Sequence, residues 1–210
     1  MRLTQNILFL IILLSGVTAC KKKTTVVIQA EDYITGSGTA YAGMQYSVVE
    51  TWTPFFEVKS NTVASGVLDE NGAASFELKM KENRKYNLGI ETPDNICYTE
   101  VSIQEPLTYG ENNAVNFKYA ACGYLKFILN NTNCFDSTDK IEYTRTWLTG
   151  NKGDGTNIYY GCDYFEGSFF PVPAGDYKYD WEVTKNSVTD FFSQSFTIAN
   201  GDSTIFQIDY

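Results

Sequence analysis

The side chains that could do chemistry in this sequence are carboxylates and thiols, because the chain has 25 Asp and Glu, five Cys and no His. Without an imidazole, Ser-His-Asp catalysis, Cys-His catalysis and the commonest zinc sites are excluded. Asp163 with Glu166, or Asp176 with Asp180, could pose as the acid and nucleophile of a glycoside hydrolase. Neither pair stands out, since 25 acids produce many such pairs by chance. The sequence therefore predicts a protein that is not an enzyme and needs no cofactor.

The N-terminus has the order of residues that is typical of a secretory signal. Arg2 precedes an apolar run from Ile7 to Leu14, and small residues follow it up to Ala19. The 13 residues from Ile7 to Ala19 are too few to span a bilayer as a helix, which needs about 20 apolar residues. We therefore predict that residues 1–19 are a signal peptide and not part of the fold.

The residues that end this segment, Val17-Thr18-Ala19-Cys20, resemble the lipobox of bacterial lipoproteins. The resemblance implies that the signal is cut before Cys20 and that this cysteine carries acyl chains. Two or more long acyl chains hold a protein to a bilayer persistently, so Cys20 would connect the protein to a membrane. The alternative is an ordinary signal in which Cys20 is incidental.

Three lysines, Lys21, Lys22 and Lys23, follow the cysteine, so residues 20–23 are interpreted as the lipidated Cys and a basic tether. The lysines either contact lipid phosphates or begin a solvated tether. Some surface-displayed lipoproteins carry acidic residues here, and this chain does not. That difference favours the periplasmic face of the outer membrane over the cell surface. The net charge of −9 argues against nucleic acid as a partner, because its phosphates would repel an acidic protein.

Four cysteines remain in the body of the chain: Cys97, Cys122, Cys134 and Cys162. An even number in an exported chain favours disulfides over metal ligands or free thiols. There is no C-x-x-C motif to indicate redox chemistry. Of the three pairings that are open, the one with short loops joins Cys97 to Cys122 and Cys134 to Cys162. Each loop of that size stabilises a fold by roughly 3 kcal/mol.

Beyond Lys23 the chain reads as short strands separated by turns, and no stretch keeps the apolar period of a helix. Residues 177–183 form the clearest strand, with large apolar side chains on one face and charged ones on the other. Turn residues cluster at 69–72, 92–95, 173–176 and 200–202. This spacing is typical of β-sandwiches or barrels, so the predicted fold class is all-β.

An internal repeat divides this all-β region in two. Tyr86, Leu88, Ile90 and Glu91 match Tyr177, Tyr179, Trp181 and Glu182 at an offset of 91 residues. The pair Thr51-Trp52 matches Thr146-Trp147 at an offset of 95 residues. We therefore predict two tandem β-sandwich domains, residues 24–119 and residues 120–210, each near the common size for a domain.

The residues of the repeat also carry a resemblance to a known class of domain. GVLDENGAASFEL with KYNLGIE in the first half, and FFPVPAGDYKYDWEV with FTIANGDSTIFQIDY in the second, resemble transthyretin-like or carboxypeptidase-regulatory-like β-sandwiches. The first half departs from that pattern at Lys85-Tyr86 and in a longer loop from Pro54 to Asn61. The resemblance implies two Ig-like or transthyretin-like sandwiches, a class that in bacterial lipoproteins serves to bind, space or assemble.

One dense aromatic cluster comprises Tyr159, Tyr160, Tyr164, Phe165, Phe169 and Phe170. Core packing is the main expectation for it, because every strand of a sandwich needs large inward side chains. Alternation along a strand would send Tyr159 and Tyr160 to opposite faces. The second interpretation is an exposed ligand-binding face, because aromatic rings stack on sugars and fill protein interfaces. Its candidate residues are Tyr159, Tyr160, Tyr164 and Phe170.

A glycine-rich loop contains Asn151, Asp154 and Asn157, whose oxygen atoms make them the candidates for a calcium site. Their spacing is not that of an EF-hand, and ordinary turns explain such loops. We therefore predict no bound metal.

The function predicted from these features is that of a non-catalytic, lipid-anchored cell-envelope protein. It would act as a binding or scaffold module for a protein partner. The alternative is a carbohydrate-binding surface lipoprotein that uses an exposed aromatic face.

Overall fold

The computed structural model describes residues 21–100, 104–162 and 164–210. The predicted signal peptide, Cys20 and Asp163 therefore lie outside the described residues. The described chain is all-β, which confirms the predicted fold class, and its helical content is one short 3-10 turn, Thr39–Tyr41. Among these residues, no helix has the length and apolar character needed to cross a membrane.

Most strands of the described chain have nine residues or fewer. In chain order the strands are β1 Lys21–Asp32, β2 Gln45–Trp52, β3 Lys59–Val67, β4 Ala73–Lys81, β5 Lys85–Ile90, β6 Ile96–Thr99, β7 Gln104–Pro106, β8 Asn113–Asn130, β9 Lys140–Trp147, β10 Lys152–Gly153, β11 Asn157–Tyr160, β12 Tyr164–Glu166, β13 Phe170–Pro173, β14 Gly175–Lys185, β15 Val188–Ile198 and β16 Ser203–Asp209. The longer strands are β1, β8, β14 and β15.

These strands belong to two compact units. The first unit takes the described residues within Met1–Glu31, Ser37–Thr92 and Val101–Phe117. The second unit takes Asp32–Gly36, Pro93–Glu100 and Lys118–Tyr210. Strand β8 accordingly begins in the first unit and continues in the second.

The strands of the first unit belong to two sheets. In one, β1 lies between β8 and β4 and pairs antiparallel with β4, and the other has the strand order β3-β2-β5-β7. Alternate residues of β1 and β5 are buried, as expected for strands with one face on a core. The rings of Tyr46 on β2 and Phe76 on β4 stack with their centres 5.2 Å apart, so side chains of the two sheets meet in this core.

The second unit also has two sheets. In one, β8 pairs antiparallel with β6, β12 and β13 and parallel with β16. The other has the order β10-β9-β14-β15, with β11 also paired to β9. Between them the Tyr179 ring lies 5.2 Å from that of Phe127 and 4.3 Å from that of Phe206, measured between ring centres. Strand β14 contains residues 177–183 and confirms the clearest strand prediction.

The predicted turn at residues 69–72 connects β3 to β4, and Asp69 organises it. Its Oδ1 accepts hydrogen bonds from the backbone N–H groups of Asn71 (2.8 Å) and Ala73 (2.9 Å). Gly72 has a φ of 72°, and a Cβ there would lie 2.4 Å from the carbonyl oxygen of Gly38. Only glycine meets both requirements at this position.

Both disulfides belong to the second unit, and they are the pairing with short loops. Cys97 on β6 joins Cys122 on β8, and Cys134 joins Cys162 between two loops. Their Cα atoms lie 4.9 and 5.2 Å apart, within the usual range for a disulfide. The first bond therefore links strands that are already neighbours, and the second closes a loop of the same unit.

Candidate functional site

The aromatic segment, residues 157–170, lies largely at the surface of the second unit. Tyr160 is 62% exposed and Tyr164 is 58% exposed, and Phe165, Phe169 and Phe170 are exposed as well. Tyr159 is half-buried, and its ring contacts those of Tyr143 and Phe165. The expectation that this cluster packs in the core is therefore wrong for most of its members. Consecutive side chains of a strand point to opposite faces, and of the seven residues in β11 and β12 only Tyr159 is even half-buried.

The exposed rings of the aromatic segment do not form one stack. Tyr160 lies opposite Lys140 on β9, whereas Tyr164 lies opposite Asn130 on β8. Phe170 lies further along β8, opposite Leu125. Among the residues that the structure describes, no ring contact joins Tyr160, Tyr164 and Phe170 to one another. The segment thus offers several separate aromatic contact points.

Tyr164 belongs to a network of polar side chains that also contacts an aromatic ring. Its hydroxyl donates a hydrogen bond of 2.6 Å to Oε2 of Glu166, whose other carboxylate oxygen forms an ion pair with Lys126. The Lys126 ammonium also lies 5.9 Å from the centre of the Phe169 ring. The hydrogen bond from Lys126, with that from Tyr164, holds the pKa of Glu166 below its usual range. This part of the surface therefore presents the rings of Tyr164 and Phe169 beside an ionised carboxylate and an ammonium group.

Phe170 and the calcium candidate Asp154 both contact Arg145. The guanidinium lies 5.4 Å from the centre of the Phe170 ring, and its Nη2 is 2.5 Å from Oδ2 of Asp154. The backbone N–H of Asp154 also donates to the carbonyl of Arg145, at 2.8 Å. The charge of Asp154 is therefore neutralised by an arginine, which competes with any cation for the same oxygen.

The other two calcium candidates, Asn151 and Asn157, have local roles in the conformation of their own loop. Nδ2 of Asn157 donates to the carbonyl oxygen of Gly155 at 3.1 Å, and Asn151 occupies the left-handed region with a φ of 49°. Within residues 21–100, 104–162 and 164–210, no three carboxylate or thiol side chains come together as a metal-binding group.

A shallow depression of about 490 Å³ lies on the outer face of the β9-β14-β15 sheet. Glu142, Asp180 and Glu182 line it, together with Phe191 and Ser193. Lysines satisfy two of these acids: Lys140 binds Glu142, and Lys178 lies 2.8 Å from Asp180. The hydrogen bond from Lys178 lowers the pKa of Asp180, so this carboxyl is ionised and unsuited to act as a general acid.

Of the two carboxylate pairs singled out from the sequence, Asp176 with Asp180 lies wholly in the described chain, and its spacing is not that of a hydrolytic site. Asp176 and Asp180 lie four residues apart on one strand, a separation of about 13 Å at roughly 3.3 Å per residue. That is longer than the roughly 6.5–9.5 Å between the carboxyls of inverting glycosidases. Asp163, the partner considered for Glu166, lies outside the described residues.

Two exposed phenylalanine pairs were missed by the sequence reasoning. Phe191 and Phe192 on β15 are 76% and 47% exposed, and Phe55 and Phe56 in the β2–β3 loop are 98% and 104% exposed. The signal that could have found them is the Phe-Phe doublet itself. Adjacent residues of a strand point to opposite faces, so alternation accounts for one exposed ring of the β15 doublet. The second ring is exposed because this part of β15 has no buried face, and the other doublet lies in a loop.

No protein-family model matches the sequence, and no curated protein matches it. Among solved structures, the chain is similar to the Bacillus anthracis TIE protein, with 17% identity and a TM-score of 0.33 over 90% of this chain and 34% of that one. It is also similar to the shaft pilin SpaA of Lactobacillus rhamnosus GG, with 9% identity and a TM-score of 0.32 over 90% and 98%.

A streptococcal ancillary pilin is similar as well, with 12% identity and a TM-score of 0.31 over 92% of this chain and 63% of that one. The chain thus covers 34% of the length of the Bacillus anthracis TIE protein. All three TM-scores are below 0.5, and these likenesses assign no function to this chain.

Proposed function

We propose that this protein is a non-catalytic, lipid-anchored module of the bacterial cell envelope that binds a protein partner through the aromatic segment of its second unit. The observation that best supports the proposal is the exposure of Tyr160 and Tyr164, at 62% and 58%. Aromatic side chains contribute most of the binding energy at many protein interfaces, because they bury a large area with little loss of rotamer entropy. Their hydroxyl groups add polar contacts at the rim of such an interface.

The partner is tested by purifying the native lipoprotein from membranes and identifying the proteins that accompany it. We expect Tyr160→Ser with Tyr164→Ser to lose the partner that the wild type retains. The matched control is Val67→Ser, since Val67 is 61% exposed and belongs to the first unit. Retention of the partner by the double variant would refute a role for these two rings.

The proposed anchor is an acylated Cys20 in the outer membrane, with the protein on its periplasmic face. Support comes from the residues Val17 to Cys20 and from the absence of acidic residues directly after the cysteine. Growth in labelled palmitate should label the wild type and not Cys20→Ser. Equal labelling of the two proteins would contradict the anchor.

A glycan is the second candidate ligand, and the Tyr164 network favours it. Sugar binding needs a ring face beside hydrogen-bond donors and acceptors, and here the Tyr164 hydroxyl lies 2.6 Å from the Glu166 carboxylate. Affinity electrophoresis in gels that contain cell-envelope polysaccharide distinguishes the two candidates. A glycan-binding protein is retarded and Tyr164→Ala is not, whereas a module that binds only protein migrates unchanged.

A further inference from the structure

The β2–β3 loop of the first unit presents two phenylalanines to solvent. Phe55 and Phe56 are 98% and 104% exposed, so no part of the described chain covers either ring. Their φ angles of 48° and 70° lie in the left-handed region, which bulky side chains avoid. A backbone hydrogen bond of 3.0 Å from Glu57 N–H to the carbonyl of Pro54 closes this turn. The loop thus adopts a costly conformation that holds two large apolar side chains outside the fold.

The base of this loop contacts the turn between β4 and β5. Nη1 of Arg84, in that turn, lies 2.5 Å from Oε2 of Glu50, and its guanidinium lies 4.3 Å from the centre of the Trp52 ring. Trp52 is the last residue of β2, directly before the loop. Val58 from the loop and Asn83 from the turn line the same depression. The Phe55-Phe56 loop and the β4–β5 turn therefore lie at one end of the first unit.

The first described residue of the chain lies at that same end. β1 runs antiparallel to β4 with Lys21 opposite Lys81, the residue that ends β4 and begins the turn toward Arg84. Cys20 directly precedes Lys21 in the sequence. An acyl group on Cys20 would therefore join the chain at the end of the unit where the two phenylalanines protrude.

Basic residues collect around this end, although the whole chain has a net charge of −9. Lys21 and Lys81 lie directly opposite each other, and like charges in that position repel. Arg84 and Lys85 follow in the adjoining turn and strand, and Lys59 begins β3. The acids of this end are Glu82, Glu50, which pairs with Arg84, and Glu57, which pairs with Lys59, so the five basic residues outnumber them. An anionic surface would relieve the repulsion between the lysines, and lipid headgroups are such a surface.

We propose that the β2–β3 loop inserts Phe55 and Phe56 into the interfacial layer of the bilayer to which the protein is anchored, with the basic end against anionic headgroups. The inference rests on the proposed acylation of Cys20. Aromatic side chains beside basic residues are the combination that binds membrane interfaces, and a second apolar contact strengthens a lipid anchor. The loop would then hold the first unit in one orientation on the membrane.

The test uses full-length protein reconstituted in vesicles of phosphatidylethanolamine and phosphatidylglycerol whose acyl chains carry bromine, a quencher of tryptophan fluorescence. Phe56→Trp adds a reporter at the loop. Val67→Trp is the matched control, because Val67 is 61% exposed at the opposite end of β3. On reconstitution into the brominated vesicles, we expect the emission added by Phe56→Trp to shift to the blue and to be largely quenched. The emission added by Val67→Trp should not change. Equal, unquenched emission from both variants would overturn the inference.

Acylation is measured on the same samples with labelled palmitate, so the two proposals fail differently. Labelled protein without quenching at position 56 leaves the anchor in place and refutes insertion of the loop. Protein without label refutes the anchor and the inference that rests on it. If Phe55→Ser with Phe56→Ser loses an accompanying protein and Phe56→Trp is not quenched, the loop is a protein contact and the membrane inference is wrong.

Discussion

The two Thr-Trp pairs of this protein occupy matching positions and have different surroundings. Trp52 ends β2 and Trp147 ends β9, and each of these strands pairs with the Tyr-containing strand of its own unit. Trp147 is 5% exposed, and its Nε1 donates to the carbonyl of Ala174 at 3.2 Å. The turn after Trp147 folds back so closely that a Cβ on Gly150 would lie 2.0 Å from the indole.

Trp52 has no such cover from the residues that follow it. It is half-exposed, and the guanidinium of Arg84 is the group that stacks on its ring. The chain after Trp52 instead extends outward to Phe55 and Phe56. The comparison shows that the following loop, and not the Thr-Trp pair, decides whether the tryptophan belongs to the core or to the surface.

The largest expected difference between the units concerns these tryptophans. Trp147→Ala should lower the free energy of unfolding by about 3–5 kcal/mol, because it removes a buried indole and leaves a cavity. Trp52→Ala should lower it by about 1 kcal/mol, the size of an exposed cation–π contact. Chemical denaturation of both variants measures the difference. Equal losses would mean that the two surroundings are energetically the same.

The disulfides provide the next largest effect, since all four cysteines that form them belong to the second unit. The bonded residues are 25 and 28 positions apart, so each bond should contribute about 3 kcal/mol by restricting the unfolded chain. Cys97→Ser with Cys122→Ser should therefore destabilise the protein about as much as Cys134→Ser with Cys162→Ser. Thermal unfolding with and without a reductant checks this, and an unchanged transition in the reductant would show that the bonds are absent or contribute nothing.

Tyr86 and Tyr177 are buried and occupy matching positions, and replacing each by phenylalanine should have a smaller effect on the free energy of unfolding. The Tyr86 hydroxyl donates to Oε1 of Glu50 at 2.5 Å, whereas that of Tyr177 donates to the carbonyl of Pro173 at 2.5 Å. Burial, with the hydrogen bond to Glu50, raises the pKa of Tyr86 to about 12. Tyr86→Phe should cost about 1.5–3 kcal/mol because it withdraws a donor from a buried carboxylate, and Tyr177→Phe should cost about 1 kcal/mol. The reverse order in denaturation experiments would show that the Glu50 contact is not the stronger of the two.

The smallest effect concerns Asp139, a fully buried carboxylate of the second unit. Burial opposes its ionisation, but hydrogen bonds from Asn131 and from the N–H of Phe135, together with the charge of Lys185, outweigh burial and hold its pKa below the ordinary 3.8. The stabilisation from the ionised carboxyl is therefore present above about pH 4 and is lost as the pH falls through the lower, folded-state pKa.

Unfolding measured at about pH 6 and about pH 3 should show this loss in the wild type, and a smaller loss in Asp139→Asn, which cannot ionise at that position. Asp136→Asn, a nearby exposed acid, serves as the control. The same acid dependence in Asp139→Asn as in the wild type would contradict the assignment.

Local patterns explain why much of the fold could be predicted. Strand β14 has a strict alternation in its first half, where every second residue enters the core, so a window of seven residues suffices to recognise it. The turn at Asp69 is equally local, because its hydrogen bonds span at most four residues. The short-loop disulfide pairing follows from proximity in sequence, and the structure has that pairing.

The surroundings of individual rings could not be predicted in this way. Arg84 stacks on Trp52 across 32 positions of the sequence, and β16 pairs parallel to β8 with Phe206 opposite Phe127. Contacts of this kind depend on which strands become neighbours. Alternation correctly separates Tyr159 from Tyr160, yet it does not say that Tyr164, Phe165 and Phe170 all stay exposed at the margin of their sheet.

By itself the sequence determined that this chain is all-β, because alternation, turn residues and the lack of a helical period are properties of neighbouring residues. It also excluded every catalytic mechanism that needs an imidazole, because it contains no His. Only the tertiary structure decided which aromatic side chains are covered. Burial depends on the sheet and loop that pack against a residue, and these come from parts of the chain that no local pattern connects.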